Sequence, residues 1–147
     1  MGRILGIDFG EKRLGLALSD ESHTLASPLA VYERTDCERD LQFLRDLVAQ
    51  YRITEIVLGL PVNMDGSLGP KAEQALEFKR LLEEHLKLPV STFDERLTTV
   101  EAERVLLQAN LSRKKRKAKR DTLAAVLILQ GYLLTKSSSV QDQAGIT

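Results

Sequence analysis

The chain has no tryptophan, one cysteine, two histidines and four prolines among its 147 residues, and only 5% of it is aromatic. A lone Cys37 excludes an internal disulfide, and its place between Asp36 and Glu38 disfavours the thiolate, so an inert reduced thiol is expected. His23 and His85 stand far apart with no Cys or His companions, which leaves no zinc motif. Four Phe and three Tyr supply neither a base-stacking set nor a base-reading motif, so nothing here separates RNA from DNA as a partner. No apolar run is long enough to span a bilayer, and the N-terminus lacks the charged-then-apolar pattern of a signal peptide. A cytoplasmic protein with no membrane partner is the expectation. Formal net charge is zero, which by itself excludes a uniformly basic or acidic binder.

What is present begins with Arg3 to Asp20, RILGIDFGEKRLGLALSD. Ile4, Leu5 and Ile7 make a short apolar run that ends on Asp8, and Gly10 turns the chain into a second run carrying Leu14, Leu16 and Leu18. The spacing allows a hairpin. A carboxylate inside a buried strand costs several kcal/mol unless it is paired or binds a metal, so Asp8 is either a site residue or an ordinary Asp-Gly turn at the strand end. The zero net charge is also unevenly spread. Arg113, Lys114, Lys115, Arg116, Lys117, Lys119 and Arg120 hold seven of the 21 basic residues, leaving 14 basic against 21 acidic elsewhere. Such a cluster suits phosphate contact by a protein whose reaction site is itself rich in carboxylates; the plainer alternative is a solvated loop.

Hydrophobic content of 43% with 29% charged residues fits one soluble domain, placed at residues 1–135, followed by a disordered polar tail over 136–147. After the hairpin, residues 25–34 read as a third strand in which Pro28 suggests an edge. A helix over 36–52 follows, with Asp36 as N-cap and Leu41, Leu44, Leu47 and Val48 on one face. Residues 55–60 form a buried strand running into the loop PVNMDGSLGP, and an amphipathic helix over 71–88 is stopped by Pro89. Val90 to Phe93 is the last strand, and helices follow at 98–110 and about 118–135. A meander followed by two helix–strand units implies a mixed α/β sheet with helices on both faces, the first, fourth and fifth strands parallel. Ligands in such sheets bind beyond the carboxyl ends of the parallel strands, where Asp8, Glu95 and the loop over 59–69 all fall.

A third carboxylate, Asp121, opens DTLAAVLILQGYLL and shares a helical face with Ala124, Ala125 and Ile128. Two alanines there would let the helix lie close to the strands and bring Asp121 toward Asp8. Alone, Asp121 reads rather as a helix N-terminal residue favoured by the macrodipole, and Asp94 and Glu95 as a polar loop in which Thr98 caps the next helix. If Asp8, Glu95 and Asp121 converge, they repel unless cations neutralise them, and hard divalent ions such as Mg²⁺ or Mn²⁺ suit oxygen ligands. Two such ions about 3.5 to 4 Å apart activate water and stabilise the leaving oxygen in phosphodiester hydrolysis.

The segments GIDFGEKRLGLALSD, GLPVNMDGSLG, FDERLTTVEAE and KRDTLAAVLILQGYL resemble, in order and spacing, the YqgF family, also called RuvX, over about residues 3 to 135. The resemblance implies a ribonuclease-H-like fold, a five-stranded sheet of order 3-2-1-4-5 with strand 2 antiparallel, and a metal-dependent nuclease. It implies that Asp8, Glu95 and Asp121 are its catalytic, metal-binding carboxylates, with Mg²⁺ or Mn²⁺, two ions, as cofactor and a 5′ phosphate on the product. It further implies 5′-end maturation of precursor 16S rRNA as the activity, with resolution of four-way DNA junctions as the alternative. Precursor rRNA is therefore the favoured partner and branched DNA the second.

Further nucleic-acid contacts are expected from Lys12 and Arg13 in the hairpin turn, Asn63 in the glycine-rich loop and Arg96, which could instead pair with Asp94. Two rival readings share the opening motif: an actin-like nucleotide-binding fold, disfavoured because the chain has one such lobe, and a non-cleaving nucleic-acid-binding module. A junction resolvase would be a homodimer, whereas a trimming nuclease works as a monomer.

Overall fold

The computed structural model describes residues 2–97 and 122–146, the side chains of the latter segment as far as residue 136. Within them, alternation of apolar and small residues builds strands β1 (Arg3–Phe9), β2 (Arg13–Ser19) and β3 (Ala26–Glu33) as an antiparallel meander. β4 (Ile53–Leu60) then returns parallel to β1, and β5 (Val90–Asp94) parallel to β4. The sheet order is β3-β2-β1-β4-β5, as the family resemblance implies. Pro28 lies on the edge strand where the β2–β3 register shifts, which is how a residue without an N–H is accommodated.

Helix α1 (Cys37–Tyr51) starts where Asp36 accepts a hydrogen bond from the Arg39 N–H, and ends at Arg52 in a left-handed conformation. Helix α2 (Pro70–Leu86) begins with proline at its first position, where the missing N–H costs nothing, and ends at Lys87, also left-handed. A third helix, α3 (Leu123–Ile146), closes the described chain.

Strand alternation divides the core. Leu5, Ile7, Leu14, Leu16, Ile56 and Leu58 face α1 and α2, meeting Leu41, Leu44, Phe78 and Leu82. Ile4, Ala17, Val57 and Phe93 face α3, meeting Ala125, Ile128, Leu129 and Leu133. Each fully buried Leu or Ile contributes about 1.5–3 kcal/mol relative to exposure, so both faces of the sheet are strongly held. Gln130, fully buried in α3, is satisfied at both ends: Oε1 accepts from Ala26 N–H at 2.9 Å and Nε2 donates to the Thr24 carbonyl at 3.1 Å.

Two expectations about α3 change. Its helical backbone continues to Ile146 instead of stopping near Thr135, there being no proline after Pro89 and no glycine between Gly131 and Gly145 to break it. Ala124 is exposed, so the close approach of α3 to the sheet is not made by paired alanines. Glycines make it: a Cβ on Gly6 would lie 2.7 Å from Leu129 Cβ, and one on Gly131 would lie 2.7 Å from the Phe93 ring. The helix expected over 98–110 lies outside the described residues.

Candidate active site

Because Ile4 and Gly6 face α3, Asp8 is directed to that same face at the carboxyl end of β1. The β1–β4 pairing runs to Ile7 opposite Leu58, so Asp8 and Gly59 leave the ladder side by side. Past β5, the chain folds into a single 3-10 turn, Glu95–Leu97, which throws Glu95 back over β4. Its carboxylate lies above Gly59: a Cβ there would sit 2.8 Å from Glu95 Oε1 and 2.4 Å from Ile128 Cδ1. The gap left by a missing side chain is what brings Glu95 toward Asp8.

The electrostatics follow. Burial raises the Asp8 pKa above the ordinary carboxylate value. Glu95 is also raised, by burial first and then by the negative charges of Asp8 and Asp94, while Lys71 opposes the shift. The neighbouring Asp94 goes the other way. Arg96 holds it below the usual range through an ion pair at 2.7 Å, supported by its own N–H and Nε. Of two adjacent acids, Asp94 is committed to structure and Glu95 is turned to the rim.

Arg96 also donates to the carbonyls of Asn63 at 3.3 Å and Met64 at 3.5 Å, clamping the glycine-rich loop to the end of β5. Within that loop Val62 bridges Leu68, Asn63 Nδ2 donates to Ser67 Oγ, and Asp65 accepts from Ser67. Asn63 and Arg96, both expected at nucleic acid, thus carry the loop's internal bonding. With Glu11, Gly69, Lys71 and Glu95 they line an open cleft of about 680 Å³. Lys12 and Arg13 are exposed on the β1–β2 turn and line a second cleft, of about 720 Å³, on the α1–α2 side.

Gly59, read from the sequence as part of the loop beside the site, lies inside strand β4, where a buried strand ordinarily carries a branched residue; two other features escaped the sequence reading. Lys71 reads as the plain start of an amphipathic helix. Arg34, at the end of the β3 hairpin, stacks over Phe9 and Phe78 at 5.0 and 5.3 Å, pairs with buried Asp40 at 3.0 Å and donates to the Gly10 carbonyl at 3.1 Å. It braces the turn that follows Asp8.

Asp121 and the basic residues Arg113, Lys114, Lys115, Arg116, Lys117, Lys119 and Arg120 lie outside the described residues, as do Thr98 and Thr99. Among the described residues, no three Asp, Glu, His or Cys side chains form a metal-binding group. Asp8 and Glu95 nonetheless fit a hard divalent cation: two half-buried carboxylates, the charge of Asp8 disfavouring that of Glu95, supply oxygen donors and a need for positive charge. Among the described residues, no helix is long and apolar enough to cross a membrane.

A mixed sheet with strand 2 reversed, helices on both faces and acids at the carboxyl rim defines the ribonuclease-H-like class. The chain is similar in fold to RuvC of T. thermophilus, solved in complex with a Holliday junction substrate: TM-score 0.62 at 18% identity, covering 93% of this chain and 96% of that one. It is similar also to the fowlpox virus Holliday junction resolvase: TM-score 0.54 at 15% identity, covering 90% and 99%. Closer in sequence is a protein of Halothermothrix orenii named "Putative pre-16S rRNA nuclease", 50% identical over 131 residues, which are 89% of this chain and 94% of that protein. A Moorella thermoacetica protein of the same name is 51% identical over 131 residues, 89% and 94% of the two chains. The family model described as RuvX, Holliday junction resolvase, matches residues 2–135. The chain belongs to the RuvX family.

Proposed function

We propose that this protein is a divalent-metal-dependent nuclease that hydrolyses phosphodiester bonds in structured nucleic acid, and that its substrate is the 5′ end of precursor 16S rRNA. The observation that carries the reading is the Glu95 carboxylate held over Gly59 beside Asp8. Membership of the RuvX family and the names of relatives about half identical support it. Asp8, Glu95 and Asp121 would hold Mg²⁺ or Mn²⁺, which when bound lowers the pKa of water and offsets charge on the phosphoryl oxygens. The chain's own residues do the rest. Asp8 and Glu95 would present the oxygen donors for that ion at one rim, Arg96 keeps the 61–70 loop against that rim, and the basic run over 113–120 grips flanking phosphates.

A second substrate, the four-way DNA junction, is favoured by the family's own description and by the fold shared with junction-bound RuvC. Cleavage of a 5′-extended RNA hairpin and of a four-way DNA junction with Mn²⁺, each with Asp8→Asn as control, tests both. Preferential, Asp8-dependent cutting of the RNA is expected. Full activity in Asp8→Asn would sink the site, and cutting of the junction alone would give the protein to recombination.

A further inference from the structure

We infer that Lys71 is a phosphate-contacting residue of this site, its ammonium meeting a non-bridging oxygen of the nucleic-acid backbone bound at Asp8 and Glu95. The inference rests on the nuclease reading and adds to it a residue that neither the motif nor its spacing singles out. An anionic backbone approaching two half-buried carboxylates needs a cation beside them, or the field repels it. Among the described residues two cationic side chains line the Glu95 cleft, Lys71 and Arg96. Arg96 is already committed. Asp94 neutralises its charge, and its NH1 group is turned to the loop carbonyls of Asn63 and Met64.

Lys71 is different in each respect. It is exposed, and among the described residues it forms no ion pair. It is near enough to Glu95 for its charge to offset that of the carboxylate. Its backbone is fixed by Pro70 on one side and by fully buried Ala72 on the other, so the Cα is held while the long side chain remains free to reach. An ammonium is a compact point charge with three donors and tolerates the changing geometry of a phosphoryl group better than a planar fork would. The cleft therefore holds one cation paired to Asp94 that shapes the loop and one, Lys71, that lines the cleft with no ion pair among the described residues.

The test uses the full chain, with wild type, Lys71→Ala, Lys71→Arg and Asp8→Asn compared. Binding of a 5′-extended RNA hairpin and of a four-way DNA junction is titrated over a KCl series without divalent cation, and cleavage is followed with Mn²⁺. Lys71→Ala is expected to weaken binding about tenfold at low salt and to flatten the log–log salt slope by roughly 0.7 to 0.9, the signature of one phosphate no longer neutralised. Its melting temperature should match wild type, and Lys71→Arg should restore the slope. The probe whose slope changes identifies the backbone, RNA or DNA. A slope in Lys71→Ala equal to wild type overturns the inference, even if Asp8→Asn abolishes cleavage and the nuclease reading stands. A flattened slope in a protein that cuts neither probe keeps the phosphate-binding role and removes the nuclease reading. Failure of wild type to bind either probe overturns both.

Discussion

Gly59→Ala is the sharpest perturbation of the site, because it adds one methyl group at the point where the Glu95 carboxylate and a helix meet. The new Cβ would stand 2.4 Å from Ile128 Cδ1, 3.1 Å from Ile128 Cγ1 and 2.8 Å from Glu95 Oε1. Carbon–carbon contacts are comfortable at about 3.5–4.0 Å, so Ile128 is overlapped by roughly 1 Å. Ile128 is 1% exposed and cannot turn into solvent, so the Glu95 carboxylate, the far end of a longer side chain, is the group that must shift. Overpacking of this kind costs about 1–3 kcal/mol, and for a domain of this size each kcal/mol lowers Tm by roughly 2–4 °C. The larger effect falls on chemistry: displacing a positioned group by about 1 Å costs on the order of a hundredfold in rate. Gly6→Ala is the matched control. Its Cβ would press on Leu129 Cβ at 2.7 Å and the Ala125 carbonyl at 3.3 Å, lifting the same helix without touching a carboxylate. Thermal melts and single-turnover cleavage on both variants decide the matter. Gly59→Ala should lose far more rate than Gly6→Ala at comparable loss of Tm; equal rates in the two, or wild-type cleavage by Gly59→Ala, would refute the placement of Glu95.

Other outcomes follow from the same geometry. Burial raises the Asp8 pKa, so folding favours its protonated form and stability falls as pH climbs from the ordinary carboxylate value through the raised one. Asp8→Asn should therefore melt above wild type at pH 7 without metal, while added Mg²⁺ should raise only the wild-type Tm, by the equivalent of about 2.7 kcal/mol at a hundred times Kd. Asp40 runs the opposite way: burial alone would raise its pKa, but the Thr35 N–H, Arg34 and Tyr32 outweigh it and hold it low. The stability it supplies is present above the ordinary carboxylate range and lost as pH falls through its depressed value. Urea unfolding of Asp40→Asn should show a loss on the order of 3 kcal/mol at pH 7 and a shallower acid slope. Replacing Arg113, Lys114, Lys115 and Arg116 together by Ala should weaken binding across sequences and flatten its salt slope by about 0.9 for each phosphate the run neutralises; an unchanged slope would mean that the run does not bind phosphate.

Local pattern carried much of this molecule. Alternation in Arg3 to Ser19, the Asp36 cap, the Leu41–Leu44–Leu47 stripe and Pro89 after an amphipathic run each encode their element through neighbours a few residues away, and each element formed within a residue or two of its expected place. Pattern failed where a short-range signal was missing or ambiguous. Nothing after Thr135 forbade helix, and Ala124 and Ala125 are indistinguishable until it is known which side of α3 meets the sheet.

The sequence by itself determined that Asp8 ends the apolar run of the first strand, that strands one, four and five run parallel, and that Asp8, Glu95 and the glycine-rich loop collect at one rim, because periodicity and the right-handed crossover are local or nearly universal rules. Tertiary structure alone decided the rest. Asp94 and Glu95 are adjacent and chemically alike, and only the reach of Arg96 and the opening above Gly59 separated the one that holds the loop from the one that faces Asp8. Lys71 gained its role in the same way, from a cleft whose walls are far apart in the chain. Those assignments depend on register and contact between segments tens of residues apart, and no property of either segment alone encodes the distance between them.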